Sequence, residues 1–364
     1  MPPSYPALVY QAPGTTAVET FALPEPAPHE ALIRLRACGI CGSDIHRIYH
    51  GTAEPGVVLG HEWIGEVVQV GADVTQLKLG DRVIPGNGPG WPGGPLPTSP
   101  NDPPAPSSNL TGARARHSPR DNGRNCLPQT NRQGGFAHYT LRRWWEVGRV
   151  PSDLGDAAAA CCEPLAVAVH AVQKAAVRLG DSVAVIGLGP IGLFVVQCAM
   201  AQGATRVIAL DPNPHRRAVA RGFGPQVVPV DPTKGDPLDS IVSLAGGNGP
   251  DVAFECAGAP DTLQLALESV TFGGRVCMVA LRWTGTPVTP VEWLGRQPTL
   301  MASYAYGTNG WATAIDLLRL GVVRFESLTA AEDVFPFSRI QEALERARDT
   351  RGNAIKVLVD MTCD

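Results

Sequence analysis

The 364-residue sequence has no long uninterrupted hydrophobic run and no excess of positive charge. Its most apolar stretch, Val183 to Met200, contains four glycine or proline residues, so we expect no membrane-spanning helix. A net charge of −4 gives no electrostatic reason for a nucleic-acid partner. The opening residues, MPPSYPALVYQAPG, lack the basic start and apolar core of a secretory signal peptide. Together these absences argue against a membrane protein, a secreted protein and a nucleic-acid-binding protein.

Cysteines are few, and their pattern is not that of a disulfide framework. There are nine, an odd number, scattered along the chain. This favours a reducing cytoplasm, where the two cysteines of RACGICGSDIH (residues 36–46) are more often metal-binding or catalytic than a disulfide. Their spacing alone leaves open a disulfide, a redox pair, a structural zinc knuckle and an active site.

Two sequence textures divide the chain. Residues 7–84 contain segments in which apolar and polar positions alternate, which predicts strands. Residues 85–133 are too rich in proline for a sheet or a helix. After residue 152, short apolar runs alternate with helical segments, which indicates a parallel sheet covered on both faces. The predicted fold class is α/β, a β-rich domain combined with a doubly wound parallel-sheet domain.

The segment VAVIGLGPIGL carries a dinucleotide-binding pattern, with Gly187, Gly189 and Gly192 between a predicted strand and a predicted helix. Glycine there permits a tight turn, a close approach of pyrophosphate to the backbone, and packing of the helix on the strand. Pro190 and Ile191 complete the binding loop. Asp211 ends the next strand, where a carboxylate can accept hydrogen bonds from both ribose hydroxyls.

The same carboxylate would repel a 2′-phosphate, so the sequence favours NAD over NADP. Arg216 and Arg217 follow closely and weaken that preference. Arg216 is placed among the cofactor-binding residues, and one interpretation is that it lies over the adenine.

Three further residues are candidates for metal ligands. A single His-Glu pair, as in His61-Glu62 of VVLGHEWIGEVV, usually lies in a surface turn, and Glu163 is explained equally well as a favourable charge at a helix N-terminus. Taken together, however, Cys41, His61 and a carboxylate form the thiolate, imidazole and carboxylate set of an open catalytic zinc site.

Nine short motifs follow one another along the chain: CGICGSDIH, GHEWIGEVVQVG, GDRV, GGFAHY, EPLAVAVHA, GLGPIGL, ALD, FECAG and GGRV. With these motifs it resembles the zinc-dependent medium-chain dehydrogenases/reductases of the alcohol dehydrogenase superfamily, nearest the sorbitol, threonine and related polyol dehydrogenases. The resemblance covers nearly the whole chain. It implies a GroES-like catalytic domain (residues 1–165, with the proline-rich loop 85–133), a Rossmann NAD-binding domain (166–300) and a C-terminal completion of the catalytic domain (301–364). It also implies a homodimer or a homotetramer.

The resemblance assigns metal ligands residue by residue. Cys41 supplies the thiolate and His61 the imidazole. Glu62 is a direct ligand in the sorbitol type and elsewhere a carboxylate that can swing onto the metal, so it is both a metal and a catalytic candidate. Glu163 occupies the third protein-ligand position and acts directly or through water. The choice between the two glutamates stays open.

The resemblance also assigns a proton path. Ser43 matches the hydroxyl that contacts the reacting alcohol, and His46 matches the outer end of a relay through the nicotinamide ribose. Asp44 is interpreted either as support for a ligand or as a turn-forming residue. Many relatives bind a second, structural zinc through four cysteines in the lobe after GDRV. Here only Cys126 stands in that lobe, which predicts one zinc per chain.

The implied function is zinc-dependent, NAD(H)-linked oxidation of a secondary alcohol to a ketone, with a polyol, cyclitol, sugar or similar polar metabolite as substrate. Two alternatives are a carbonyl reductase acting on a biosynthetic intermediate and a non-catalytic NAD-binding protein.

Overall fold

The computed structural model describes residues 1–86, 134–307 and 310–363. All but the first two residues of the predicted proline-rich loop, and with them Cys126, lie outside the described residues. The strands are β1 (Ser4–Ala12), β2 (Thr15–Ala22), β3 (Glu30–Gly39), β4 (Glu62–Val70), β5 (Arg82–Pro85), β6 (Tyr139–Arg143), β7 (Val147–Arg149), β8 (Ser182–Ile186), β9 (Arg206–Leu210), β10 (Val227–Val230), β11 (Val252–Glu255), β12 (Arg275–Met278), β13 (Thr299–Ala302), β14 (Val334–Pro336) and β15 (Leu358–Asp360). The helices are α1 (Gly42–Tyr49), α2 (Asp156–Ala160), α3 (Cys162–Lys174), α4 (Pro190–Ala201), α5 (Pro214–Arg221), α6 (Pro237–Leu244), α7 (Thr262–Ser269), α8 (Pro290–Trp293), α9 (Gly310–Arg319) and α10 (Ile340–Arg348).

The described residues form two compact units. The first comprises residues 1–163, 329–350 and 356–364, and the second comprises residues 164–328 and 351–355. For comparison, the sequence places the end of the dinucleotide-binding domain at residue 300. In the structure β13 pairs with β12 in the second unit, and that unit continues to Leu328.

The first unit is built on a largely antiparallel sheet with the order β14-β15-β3-β4-β5-β7, and β6 also pairs with β3. β1 and β2 form a separate antiparallel pair. The central strands β3 and β4 carry large buried side chains, including Ile33, Leu35, Trp63 and Ile64. β15, from the C-terminal end of the chain, pairs antiparallel with β3, so that Leu358 faces Gly39. This pairing brings the last residues of the chain beside the segment that carries the two-cysteine motif.

The second unit contains a six-stranded sheet with the order β10-β9-β8-β11-β12-β13, in which every pair is parallel. The central strands are buried along almost their whole length, which explains their continuous apolar runs. Helices α6 and α7 pack on this sheet, and Ile241, Ala266 and Leu267 join its buried core. The α/β fold class is confirmed, with a β-rich unit and a parallel-sheet unit as expected. Among the described residues, no helix is both long and apolar enough to cross a membrane.

Candidate active site

Helix α1 starts at the two-cysteine motif, and Asp44 organises that start. Cys41 is the N-cap residue, and the Asp44 carboxylate accepts a hydrogen bond from the Cys41 backbone N–H through Oδ2 at 3.1 Å. Its other oxygen, Oδ1, accepts from the Gly60 N–H at 3.2 Å. Because Gly60 precedes His61, this one buried carboxylate joins the two segments that carry the predicted thiolate and imidazole. Asp44 therefore shapes the local turn and also contacts a distant segment.

The His61 ring lies between two carboxylates. Nδ1 is 3.4 Å from Asp44 Oδ1, and Nε2 is 3.9 Å from Glu163 Oε1. A carboxylate on one ring nitrogen fixes the orientation of the imidazole and leaves the other nitrogen for a metal ion. Burial lowers the pKa of His61, but the charges of Asp44 and Cys41 outweigh it and the pKa is raised well above its ordinary value. For Asp44, burial raises the pKa, but His61 together with the backbone N–H groups of Cys41 and Gly60 more than compensates, so the pKa is lowered.

Cys41, His61 and Glu62 come together as a group of possible metal donors, and their ligand atoms all lie within 4.8 Å of one another. Glu62 opens β4 and is buried. Glu163 lies in the first turn of α3, is also buried, and meets this group at His61. A thiolate, an imidazole and a carboxylate are the donors typical of catalytic zinc, so these residues fit that metal.

A buried lysine that the sequence interpretation missed lies against Glu62. Lys356 Nζ is 2.5 Å from Glu62 Oε2, and the two side chains are only 2% and 1% exposed. Burial lowers the pKa of Lys356, but the negative charges of Glu62 and Cys41 outweigh it and raise the pKa above its ordinary value. The signal in the sequence is slight, a single lysine within the largely apolar segment AIKVLVDM.

The two predicted proton-path residues lie on α1. Ser43 and His46 are separated by three positions, which places them on the same side of the helix, and both are partly buried. The His46 ring stacks on that of His50, with ring centres 4.6 Å apart. Burial, and then the charge of His50, lowers the pKa of His46, which favours its neutral, proton-accepting form.

In the second unit, the glycine-rich turn between β8 and α4 has the shape that its pattern predicts. Gly187 has a positive φ of +94°, and a Cβ on it would come within 2.7 Å of Ala257. A Cβ on Gly192 would lie 1.9 Å from the Gly187 carbonyl oxygen. Gly189 is the N-cap of α4, with Pro190 as the first helical residue, and has open space where its Cβ would be. The turn therefore leaves room at the helix N-terminus, where pyrophosphate binds in such folds. Ile191 follows in the first turn of α4 and is partly buried.

Asp211 directly follows β9, as predicted, and is buried. Its Oδ2 accepts a hydrogen bond from the Leu188 N–H of the glycine-rich turn at 2.8 Å, and its Oδ1 accepts from the Asn213 N–H at 2.8 Å. Arg216 lies beside it, with Nη1 3.9 Å from Asp211 Oδ2. The carboxylate thus holds the glycine-rich turn in addition to any contact with a ribose.

Comparison with known proteins agrees with both halves of this arrangement. Residues 27–152 match the family model described as alcohol dehydrogenase GroES-like domain, and residues 190–319 match the model described as zinc-binding dehydrogenase. The chain is 30% identical over 352 residues to the sorbitol dehydrogenase of Bacillus subtilis (strain 168), covering 94% of this chain and 93% of that protein.

It is also 32% identical over 354 residues to the L-arabinitol 4-dehydrogenase of Aureobasidium melanogenum, covering 92% of this chain and 88% of the relative. Among solved structures, the crystal structure of 2R,3R-butanediol dehydrogenase from Bacillus subtilis superposes with a TM-score of 0.80 at 27% identity. That match covers 98% of this chain and 99% of the other.

Proposed function

The chain belongs to the family of zinc-dependent medium-chain alcohol dehydrogenases and is an oxidoreductase acting on CH–OH groups, and from this premise we propose its substrate, cofactor and site residues. The proposed reaction is oxidation of a secondary alcohol of a polyol or a similar polar metabolite to a ketone, with NAD as hydride acceptor and one zinc ion per chain. The observation that carries the proposal is the grouping of Cys41, His61 and Glu62 within 4.8 Å, beside a helix that carries Ser43 and His46.

Cys41, His61 and a glutamate would hold the zinc. When bound, zinc supplies a Lewis acid that lowers the pKa of a substrate alcohol. Asp44 keeps His61 oriented through Nδ1, so that Nε2, on the side of Glu163, is left for a metal ion. Glu62 belongs to the donor group itself, whereas Glu163 contacts it at His61, which supports Glu62 as the direct carboxylate ligand.

Ser43 and His46 would carry the proton away from the reacting alcohol. The Ser43 hydroxyl can accept a hydrogen bond from the alcohol and pass on its own proton. His46 lies one helical turn further along and is kept neutral at neutral pH by its lowered pKa, so it can accept a proton near the surface.

The glycine-rich turn and Asp211 support NAD as the cofactor. A nicotinamide supplies the acceptor for the hydride. The N-terminus of α4 offers free N–H groups and a favourable dipole to the pyrophosphate, and Asp211 offers a carboxylate to the ribose hydroxyls. Arg216 contacts that carboxylate, and this pairing reduces its availability for a 2′-phosphate.

The experiment is a set of initial-rate measurements with purified protein, NAD+ or NADP+, and a panel of polyols, cyclitols, sugars and simple secondary alcohols. The expected result is NAD+ reduction with at least one polyol, together with about one zinc per chain by elemental analysis. Failure to reduce NAD+ or NADP+ with any alcohol, in protein that contains zinc and binds NADH, would support the non-catalytic alternative. Measuring the corresponding ketones with NADH distinguishes a dehydrogenase from a protein that works mainly as a carbonyl reductase. The homodimer or homotetramer and the cytoplasmic location stay predictions, and light scattering tests the first.

A further inference from the structure

Glu62, the proposed carboxylate ligand, is bound on one side by a buried ammonium group. Lys356 Nζ contacts Oε2 of Glu62 at 2.5 Å and also donates a hydrogen bond to the Ile40 carbonyl at 3.1 Å. Ile40 directly precedes Cys41. Lys356 therefore links the carboxylate to the backbone that carries the thiolate, at a site from which solvent is nearly excluded.

The sheet fixes Lys356 in this position. β15 pairs with β3, and the Ile40 N–H donates to the Val357 carbonyl at 3.0 Å, so the residues just before β15 run alongside the start of the two-cysteine motif. Gly39, the last residue of β3, lies opposite Glu62 and leaves the space that the Glu62 carboxylate fills. A Cβ on Gly39 would lie 2.2 Å from Oε2. The Oε2 atom is thus enclosed between Gly39 and the Lys356 ammonium.

This geometry has a consequence for how Glu62 can bind a metal ion. A carboxylate can bind with one oxygen or with both, and a catalytic zinc needs one position left open for the substrate. The Lys356 ammonium on Oε2 repels a second cation at that oxygen, so Oε1 becomes the favoured donor to the metal. Bidentate binding by Glu62 would fill the position that the substrate needs.

We propose that Lys356 is a positioning residue of the metal centre, which holds Oε2 of Glu62 so that the carboxylate binds the metal through one oxygen and leaves a position open for substrate. This inference rests on the proposed zinc-dependent function. It assigns to Lys356, one of four lysines in the chain, a role in metal coordination without contact to the metal.

The test uses the protein loaded with Co²⁺, because the visible absorption of Co²⁺ reports its coordination number. Lys356→Met keeps the length and volume of the side chain and removes its charge. The expected result is a clear fall in the intensity of the visible bands, as Glu62 binds through both oxygens and coordination increases, together with a fall in kcat/KM of about 10–100-fold. Lys356→Arg, which keeps a cation for Oε2, should restore the spectrum, and Lys78→Met, at an exposed lysine of the same unit, should leave it unchanged.

A purely structural ion pair predicts a different result. Lys356→Met would then lower the unfolding midpoint while the cobalt spectrum and the kcat of the folded fraction stayed those of the parent, and this would overturn the proposal. If Lys356→Met does not fold, Glu62→Gln is compared with the double variant Glu62→Gln/Lys356→Met. The double variant removes both members of the ion pair and so leaves no buried unpaired charge. Since Lys356 acts through Glu62, these two variants should share one spectrum and one kcat/KM, and a difference would refute the inference.

The same experiment separates this inference from the proposed function. If the parent protein binds no cobalt or zinc, the metal centre itself is refuted. If the parent binds about one ion per chain and turns over, but Lys356→Met has the parent spectrum, only the role of Lys356 is refuted.

Discussion

Replacement of Asp211 by asparagine separates charge from shape at the proposed ribose site. The amide has the volume of the carboxylate but no charge. The Asp211 carboxylate accepts hydrogen bonds from the backbone N–H groups of Leu188 and Asn213, and the single oxygen of the amide is placed to accept only one of them. Hydrogen bonds to a charged acceptor contribute about 1.5–3 kcal/mol and neutral ones about 0.5–1.5 kcal/mol. Asp211→Asn should therefore weaken NADH binding by about 1.4 kcal/mol, which is about tenfold.

The effect on NADPH has the opposite sign. A 2′-phosphate about 4 Å from a carboxylate is repelled by about 4 kcal/mol at an effective dielectric constant near 20, and the substitution removes this repulsion. It also releases Arg216, whose Nη1 is 3.9 Å from the carboxylate and whose Nε is buried. The ratio of the NADPH to the NADH dissociation constant should consequently fall by more than tenfold.

Fluorescence titration with each reduced cofactor, without substrate, measures this ratio directly. Asp181→Asn is the matched control, because Asp181 also pairs with an arginine, Arg275, in the same unit but directly before β8 rather than after a strand. An unchanged ratio in Asp211→Asn, in protein whose thermal unfolding remains cooperative, would refute the assignment of Asp211 to the ribose. Equal changes in both cofactors would mean that the carboxylate acts only by holding the glycine-rich turn.

Three other substitutions test the rest of the arrangement. Cys41→Ser should abolish turnover and lower the zinc content. NADH binding should stay near the parent value, because the proposed metal ligands and the proposed cofactor-binding residues belong to different units. Substantial residual activity would refute the zinc assignment. His46 can accept a proton only in its neutral form, so its lowered pKa places the acid limb of the kcat/KM profile below about pH 6.5. His50→Gln removes the neighbouring charge and should move that limb to higher pH. A limb that does not move would refute His46 as the proton acceptor influenced by His50. Asp156→Ala removes a partly buried carboxylate that binds Arg36 and Arg82, and urea unfolding should show a loss of stability of about 1.5–3 kcal/mol. Glu342→Ala, at an exposed ion pair, should cost clearly less, and equal losses in the two variants would contradict this reasoning.

The fold was predictable because its signals are local. Each parallel strand of the second unit is a short apolar run, and the glycine-rich turn joins a strand that ends at Ile186 to a helix that begins at Pro190. Both patterns follow from burial on two faces and from the space that a Cβ would occupy. The bounds of the two units are less visible, since the first unit is completed by residues 329–350 and 356–364, far along the chain.

The candidate metal site was predictable only where its residues stand in motifs. Cys41, His61 and Glu62 could be named because each belongs to a recognisable segment, although their spacing along the chain did not show that they meet. Lys356 could not be named, because its partner Glu62 lies 294 residues away and a lysine in an apolar segment gives no indication of its contact. The two come together because β3 pairs with β15 on one side and with β4, which begins at Glu62, on the other.

Buried carboxylates recur at the loops that carry the proposed function, and each accepts backbone N–H groups from a turn. Asp44 binds the turn at Cys41 and Gly60, Asp211 binds the glycine-rich turn, and Glu255 accepts from the N–H groups of residues 257 and 258. A buried charge is costly unless several donors satisfy it, and these donors come from backbone that must keep one conformation. Each carboxylate therefore fixes a turn more rigidly than a neutral side chain could. In a sequence such residues are easily taken for simple turn formers, because only their backbone donors at neighbouring positions, Cys41 for Asp44 and Asn213 for Asp211, can be anticipated. The distant donors, Gly60 for Asp44 and Leu188 for Asp211, are brought close only by the tertiary fold.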